Sequence, residues 1–188
     1  MGKPESPARS VIWVGLKSLS MEHLILARIK SGWNLKGTII SKIGKRAYTF
    51  KYVIYADRLF KTRRVRVSEV TSRSVRNLSI DFIGPAVFVN GKIRADFASC
   101  SDVDFEISPA TNTLPIKRLR LGLGQRAEVR VAWVRFPSFE VKVLEQSYER
   151  IDTKRYVYRS QSGFQADISV DSFGLITRYD EIWRRVYP

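Results

Sequence analysis

The sequence predicts an all-β protein built from one antiparallel sheet that is rolled up or closed. Two observations support this prediction. Apolar and polar residues alternate with a period of two along many short segments, as they do in strands with one buried face. Glycine, asparagine and serine residues typical of turns separate these segments, giving roughly eleven to thirteen short strands, the spacing of an all-β fold.

The alternation is clearest in four segments, which we expect to be half-buried strands: 48–54, 63–67, 127–133 and 164–170. In the second of them Arg63 has the same parity as Val65 and Val67. Because side chains two residues apart lie on the same face of a strand, we expect Arg63 to point toward the interior.

The connections between strands carry specific turn signals. Asn90-Gly91 predicts a two-residue hairpin, and Gly174 is expected to close a hairpin between strands near 164–170 and 175–179. The segment 108–119 contains two prolines, so at most one helical turn is expected there. Residues 180–186 fit either a last strand or a short helix.

Composition indicates one domain, spanning 11–188 after a flexible N-terminal segment at 1–10. The chain has 188 residues, 44% of them hydrophobic, and no apolar stretch long enough for a transmembrane helix. The lone Cys100 and the lone His23 exclude an internal disulfide, multi-cysteine zinc sites and His-rich metal sites within the chain. With no signal-peptide pattern near Met1, we expect a protein of the cytoplasm.

The positive charge lies mainly in the first third of the chain. Residues 1–76 hold 17 Lys/Arg and 4 Asp/Glu, a net charge of +13, whereas residues 77–188 hold 16 and 14, a net charge of +2. One interpretation is a basic face that attracts nucleic acid or an acidic membrane surface. The other is that alternating strands place Lys and Arg on their solvent side.

Two aspartates form the first candidate polar site. Asp102 and Asp104 share one face of a predicted strand, where two carboxylates could do acid–base chemistry or bind a hard cation. They could equally face solvent or cap the next turn. If they point inward they need a cationic partner, such as Arg63 or Arg118.

The following loop offers polar side chains between two prolines. Thr111, Asn112 and Thr113 could contact a ligand, or they could hydrogen-bond their own backbone. We predict that Arg63 forms a salt bridge with Asp102 or Asp104 below this loop, because a buried guanidinium cannot lose its proton.

Several segments together resemble a known family, the bacterial putative glycolipid-binding family. In the second half of the chain they are Ser-Asp-Val-Asp at 101–104, Thr-Asn-Thr-Leu-Pro-Ile-Lys-Arg-Leu at 111–119, Glu-Gln-Ser-Tyr-Glu-Arg at 145–150, Tyr-Val-Tyr at 156–158, Val-Asp-Ser-Phe-Gly-Leu at 170–175 and Trp-Arg-Arg-Val at 183–186. Upstream, Tyr52, Asp57 and Thr62-Arg63 match the family's pattern, but Phe60 stands where the family usually has Trp. The resemblance covers most of 22–187.

The resemblance implies an open, rolled antiparallel barrel similar to the periplasmic lipoprotein carriers. A violacein-pathway enzyme that works without a cofactor has a similar fold. The first hypothesis is therefore a protein that binds a lipid-like or glycolipid-like amphiphile in the interior of the rolled sheet. The residues expected to hold the polar head are Arg63, Asp102, Asp104, Thr111 and Asn112, with Asp57 and Arg118 in a structural polar cluster.

Two alternatives stay open. The first is a cofactor-free enzyme that acts on a hydrophobic substrate, with the paired aspartates as acid and base. The second is binding of nucleic acid or an acidic membrane through residues 1–76, although the strand pattern does not favour nucleic acid. No catalytic residue, metal ligand or cofactor is assigned.

Overall fold

The computed structural model describes residues 7–71 and 75–188, and in this part of the chain one sheet of fifteen strands dominates. The strands are, in chain order, β1 (Arg9–Gly15), β2 (Ser20–Ile29), β3 (Gly32–Ile43), β4 (Arg46–Ala56), β5 (Thr62–Val70), β6 (Val75–Ile83), β7 (Ala86–Val89), β8 (Lys92–Ile93), β9 (Asp102–Phe105), β10 (Arg126–Val134), β11 (Val141–Asp152), β12 (Arg155–Ser160), β13 (Gln165–Val170), β14 (Ile176–Tyr179) and β15 (Trp183–Tyr187). The helices are two 3₁₀ turns (Ala95–Phe97 and Ala110–Asn112) and α1 (Thr113–Leu119).

The strand order follows the chain almost throughout. Each strand from β1 to β8, and each from β10 to β15, pairs antiparallel with its neighbours in sequence. β1 also pairs antiparallel with β15, and β9 adds parallel to β10. The outermost strands, β8 and β9, do not pair with each other, so the sheet is open rather than a closed barrel. The predicted all-β fold with one rolled, mostly antiparallel sheet is confirmed.

The core lies on the inner face of this rolled sheet, where alternate residues of successive strands are buried. Trp13, Leu24, Leu35 and Phe50, from β1 to β4, are fully buried there. β9, at one end of the sheet, contacts β5 across this core, where the Val103 N–H donates to Thr62 Oγ1 at 3.4 Å.

A β-bulge at the start of β5 makes the prediction of an inward Arg63 wrong. Ala56 pairs with Thr62 and Tyr55 pairs with Arg64, so Arg63 is an extra residue opposite the step between them. An extra residue in a strand shifts the alternation by one position. Thr62 therefore takes the inward position and is fully buried, while Arg63 is exposed.

The segment before β10 is more helical than predicted. Instead of at most one turn, a 3₁₀ turn at Ala110–Asn112 leads directly into the two turns of α1. Pro115 does not interrupt α1 because it is the third helical residue, where a backbone N–H would have no intrahelical acceptor.

The predicted hairpins are present. Asn90 and Gly91 both have positive φ, 51° and 76°, and connect β7 to β8. Gly174 has a φ of 105° and lies in the connection between β13 and β14. The last segment is a strand, β15, rather than a helix.

Other predictions concern the N-terminus and Cys100. Of the segment 1–10, residues 1–6 lie outside the described part, and β1 begins at Arg9. Cys100 is a free, buried thiol. Within 7–71 and 75–188, none of the helices has the length and apolar character needed to cross a bilayer.

Candidate functional site

Asp102 is buried in an ion pair with Arg118. Asp102 lies on β9, and Arg118 lies on α1, which follows the second 3₁₀ turn. Arg118 Nη2 lies 2.6 Å from Asp102 Oδ2, and the Ser101 hydroxyl donates to the same oxygen at 2.9 Å. Burial raises the pKa of Asp102, and the Arg118 guanidinium opposes that rise.

Arg63 does not take part in this ion pair, so the predicted salt bridge from Arg63 to Asp102 or Asp104 is wrong. Arg63 instead pairs with Asp57 near the surface, with 2.7 Å between Nη2 and Oδ2. The other oxygen of Asp57 accepts the backbone N–H groups of Leu59 and Lys61. Asp57 therefore stabilises the turn before β5 and lies outside the group around Asp102.

Asp104 is held by uncharged donors. The Thr111 hydroxyl donates to Asp104 Oδ1 at 2.9 Å, and the Gln146 side-chain amide donates to Oδ2 at 2.6 Å. Burial raises the pKa of Asp104, and these two hydrogen bonds oppose the rise. The structure thus brings the predicted residues Asp104 and Thr111 into contact.

Asn112 joins the same group through a tyrosine. The Tyr148 hydroxyl donates to Asn112 Oδ1 at 2.8 Å and lies 3.4 Å from Gln146 Oε1. Gln146 and Tyr148 are two residues apart on β11, and both side chains are buried. They were not predicted as site residues, although the resemblance included their segment.

A buried carboxyl group on β2 was missed altogether. Glu22 is fully buried; Tyr52 donates to it at 2.5 Å, and the Ser108 hydroxyl lies 2.9 and 2.8 Å from its two oxygens. Burial raises the pKa of Glu22 to about 7, although both hydrogen bonds act in the opposite direction. Strand alternation could have predicted its position, because Glu22, Leu24 and Leu26 are alternate residues of β2 and lie on the same buried face.

A cleft of about 350 Å³ opens directly onto this polar network. Its polar lining residues are Asp104, Glu106, Ser108, Asn112, Ser160 and Ser162. The remaining lining is mostly apolar or aromatic; its larger members are Phe105, Trp133, Leu144, Tyr158, Phe164, Tyr179, Ile182 and Trp183. We call this the aromatic cleft.

Three rings in the aromatic cleft contact one another. Tyr158 lies edge-on to Tyr179 with 6.0 Å between centroids, and Phe164 lies 6.0 Å from Tyr158 and 6.4 Å from Tyr179. Burial raises the pKa of Tyr158 and of Tyr179, and the Asp104 carboxylate contributes in both cases. Both phenols therefore keep their protons at neutral pH and can donate hydrogen bonds.

A larger groove of about 560 Å³ runs along β10, β11 and β12, and its lining residues are mainly polar or charged. Its charges largely pair with one another: Arg130 lies 3.5 Å from Glu145, and Arg126 lies 3.7 Å from Glu128. No aromatic residue lines this groove, and Val129 is its one aliphatic lining residue. The aromatic cleft is therefore the better candidate for binding an amphiphile, whose two parts need both polar and apolar contacts.

The arrangement suits binding more than metal chemistry. Within the described ranges, no three His, Cys, Asp or Glu side chains lie close enough together to hold a metal ion. The polar side of the aromatic cleft combines a carboxylate, an amide and a hydroxyl, which can hydrogen-bond the hydroxyl groups of a polar head. The rings opposite can cover an apolar surface.

Two comparisons with known proteins match most of the chain. A family model described as Putative glycolipid-binding matches residues 10–185. The chain is also similar to a crystal structure of a DUF1089 family protein from Pseudomonas aeruginosa, with 29% sequence identity and a TM-score of 0.80. That match covers 89% of this chain and 92% of the other. No curated protein matches the chain.

Proposed function

Because the chain belongs to the Putative glycolipid-binding family, we propose that it binds an amphiphile with a glycolipid-like head in the aromatic cleft. One observation supports this most strongly: a single cleft holds a hydrogen-bonding group at Asp104 and Asn112 on one side and contacting rings on the other. Ligand sites in proteins characteristically combine apolar walls with a few fixed polar groups.

The polar head would lie against Asp104, Asn112 and Ser108. Asp104 Oδ1 and Oδ2 each already accept one hydrogen bond, which fixes the carboxylate in position, and each oxygen can accept another. Asn112 is fixed in the same way by Tyr148. A head rich in hydroxyl groups would therefore meet oriented partners.

The apolar part of the ligand would lie along Tyr158, Phe164 and Tyr179. A volume of about 350 Å³ is near the lower end of the range for small-molecule sites, so the cleft suits a head and the first part of a chain. Each buried CH₂ contributes about 0.8 kcal/mol, so affinity should rise with chain length until the chain leaves the cleft.

Two measurements test the proposal. Native mass spectrometry of freshly purified protein should detect a co-purified amphiphile. Calorimetric titration with octyl glucoside and with octanol should then give tighter binding of the glucoside, because its several hydroxyl groups can hydrogen-bond Asp104 and Asn112 together, whereas octanol has one hydroxyl group.

Variants locate the site. Phe164→Ala should weaken glucoside binding several-fold, since Phe164 lines the aromatic cleft but is 41% exposed and contributes little to the core. Tyr187→Ala is the matched control, because Tyr187 is an exposed aromatic residue that is not among the lining residues. Equal losses in both variants, or no preference for the glucoside, would contradict the proposal.

A second candidate is a cofactor-free enzyme in the same cleft. The observation that favours it is Asp104, whose pKa is raised by burial and whose carboxylate reaches an aromatic cleft where a hydrophobic substrate would fit. The test is chemical analysis of a ligand recovered after incubation with the protein and with Asp104→Asn. A product formed only by the unmodified protein would favour catalysis, and recovery of unchanged ligand from both would favour binding.

A further inference from the structure

We propose that a separate cleft near α1 binds the phosphate group of a phosphorylated compound. This basic cleft, of about 380 Å³, is lined by the cations Arg58, Lys117, Arg120 and Arg150, together with aromatic residues. It shares no lining residue with the aromatic cleft, so this proposal does not depend on the proposed function.

The cations of the basic cleft lack acidic partners. Arg150 donates to the backbone carbonyls of Leu121 and Thr153, and Arg58 donates to a backbone carbonyl. Lys117 and Arg120 have no salt bridge to any carboxylate in 7–71 or 75–188. The cleft therefore concentrates four cations that form no salt bridge within the described chain, as anion sites do.

The acidic residue in the lining, Asp171, acts to raise the pKa of Lys117 but forms its salt bridge and hydrogen bonds with other groups. Asp171 Oδ2 is paired with Arg185 at 2.7 Å, and Oδ1 accepts the backbone N–H groups of Phe173, Gly174 and Leu175. Its carboxylate holds the turn between β13 and β14 in place. The same β13–β14 turn places Phe173 at the basic cleft.

Lys117 is held in the cleft by aromatic rings. Its Nζ lies 4.2 Å from the centroid of Phe173 and 5.5 Å from that of Phe60. Phe60 in turn stacks on Trp33 at 4.7 Å. Burial, together with nearby Arg120 and Arg9, lowers the pKa of Lys117. A bound dianion would offset both effects.

The backbone is shaped to admit this lysine. Phe60 has a φ of 64°, which is uncommon for a bulky residue and occurs mostly at sites that the surrounding structure holds in place. A Cβ at position 174 would lie 2.9 Å from Lys117 Cδ, so Gly174 leaves the space that the lysine side chain occupies.

Phosphate is the anion that this geometry favours. A dianion can receive charged hydrogen bonds from a lysine and an arginine together, and guanidinium groups match its oxygens in pairs. Two sources would present the same group: a soluble phosphate or the head of an acidic lipid. The test includes both.

The experiment measures binding of inorganic phosphate and glycerol 3-phosphate by calorimetry, and binding of phosphatidylcholine vesicles with and without phosphatidic acid by sedimentation. Lys117→Met, which keeps the methylene stem, should weaken binding by about tenfold, the order expected for one charged hydrogen bond. Lys92→Met on β8, an exposed lysine with the same change of charge, should leave it unchanged.

A third variant separates geometry from charge. Gly174→Ala keeps every cation but displaces the Lys117 side chain and strains the turn at a φ of 105°, so it should also weaken binding. Thermal unfolding shows whether each variant is folded. If Gly174→Ala does not fold, the comparison of Lys117→Met with Lys92→Met alone tests the role of Lys117 in phosphate binding.

The remaining outcomes are decisive. Binding of the soluble phosphates identifies a soluble ligand, whereas binding only of vesicles with phosphatidic acid identifies a lipid head. Equal losses in Lys117→Met and Lys92→Met would show attraction by net charge alone and overturn the proposal. Absence of binding to every phosphate probe at low salt would overturn it as well.

Discussion

At the scale of single residues, three acidic side chains face the interior and each is stabilised differently. Glu22 is paired with hydroxyl groups, Asp102 with a guanidinium, and Asp104 with a hydroxyl and an amide. A guanidinium favours the ionised form of its partner, whereas burial among neutral groups favours the protonated form. The residues should therefore respond differently to pH and to mutation.

The Glu22 carboxyl should make stability fall as the pH rises. Its pKa is 4.5 as a free side chain and about 7 when folded, so the folded state binds the proton more tightly. Below pH 4.5 the carboxyl is protonated in both the folded and the unfolded state, so its titration does not change stability. Between pH 4.5 and about 7 the unfolded state ionises first, and the free energy of unfolding falls by about 3 kcal/mol. Urea unfolding across this pH range should show that the stability of Glu22→Gln, relative to the unmodified protein, increases with pH. A constant difference would contradict the shift.

The Arg118–Asp102 pair should behave as a buried ion pair. Asp102 is fully buried and the Arg118 side chain is 21% exposed, so Arg118→Met leaves an unpaired carboxylate in the core. Loss of one partner from such a pair costs about 3–5 kcal/mol. Arg118→Met and Asp102→Asn should each destabilise, and the double variant should recover part of the loss, as measured by chemical denaturation. Additive losses would show that the two side chains do not interact.

At the scale of secondary-structure elements, close contact between β3 and β4 orients Tyr52. Gly37 pairs with Tyr52, and the tyrosine ring occupies the place where a Cβ at position 37 would lie. The absence of a side chain on β3 thus lets the ring lie flat on the strand and direct its hydroxyl to Glu22.

Gly37→Ala should therefore displace the ring of Tyr52 and weaken its hydrogen bond to Glu22. Overpacking of this kind costs about 1–3 kcal/mol. The measurement is the free energy of unfolding of Gly37→Ala alone and in a Tyr52→Ala background. Because the smaller side chain leaves room for a methyl group, the cost of Gly37→Ala should largely vanish in that background. A cost that persists would point to the backbone of β3 instead.

The elements also show which features a sequence can predict. Period-two alternation identifies buried faces wherever a strand is regular, as in β4 and β13. It fails at Arg63 because the bulge depends on the turn that Asp57 holds, and no residue pattern in β5 reveals it. The two prolines in 108–119 predict at most one helical turn, but Pro115 lies in the first turn of α1, where proline does not break a helix.

The candidate site was predictable only where its residues are close in sequence. Asp102, Asp104, Thr111 and Asn112 belong to one short segment that folds back on itself. By contrast, Glu22 and Ser108 are 86 positions apart, so their contact depends on how the sheet rolls. Tyr179 joins the aromatic cleft from β14 for the same reason.

At the scale of the whole molecule, the basic first third has little internal compensation. Of its four acidic residues, Glu5 lies outside the described chain, Glu22 is buried, and Asp57 and Glu69 are paired with Arg63 and Arg76. The remaining Lys and Arg residues leave this part of the surface strongly positive.

If the excess charge of residues 1–76 serves an anionic partner, binding to acidic vesicles or to DNA should weaken steeply as salt is added. Sedimentation with vesicles and gel shift with DNA measure it, and neutral vesicles serve as the control. Lys36→Glu and Lys51→Glu reverse two charges on β3 and β4. At a given salt concentration, these changes should weaken binding to vesicles and to DNA. Binding that is insensitive to salt, or absent at low salt, would instead indicate ordinary solvated strand faces.

The pairing of β1 with β15 has a consequence for how the chain folds during synthesis. In the described chain, every other antiparallel pair joins strands that are neighbours in sequence. Strands β1 to β8 can therefore pair one hairpin at a time as they emerge from the ribosome. The edge of β1, however, stays open until Trp183–Tyr187 have been translated. Until then the nascent protein exposes an unpaired strand and the indole of Trp13, whose hydrogen bond to the Ile176 carbonyl also waits for the last strands. The risk of misassembly therefore lasts until β15 has been synthesised.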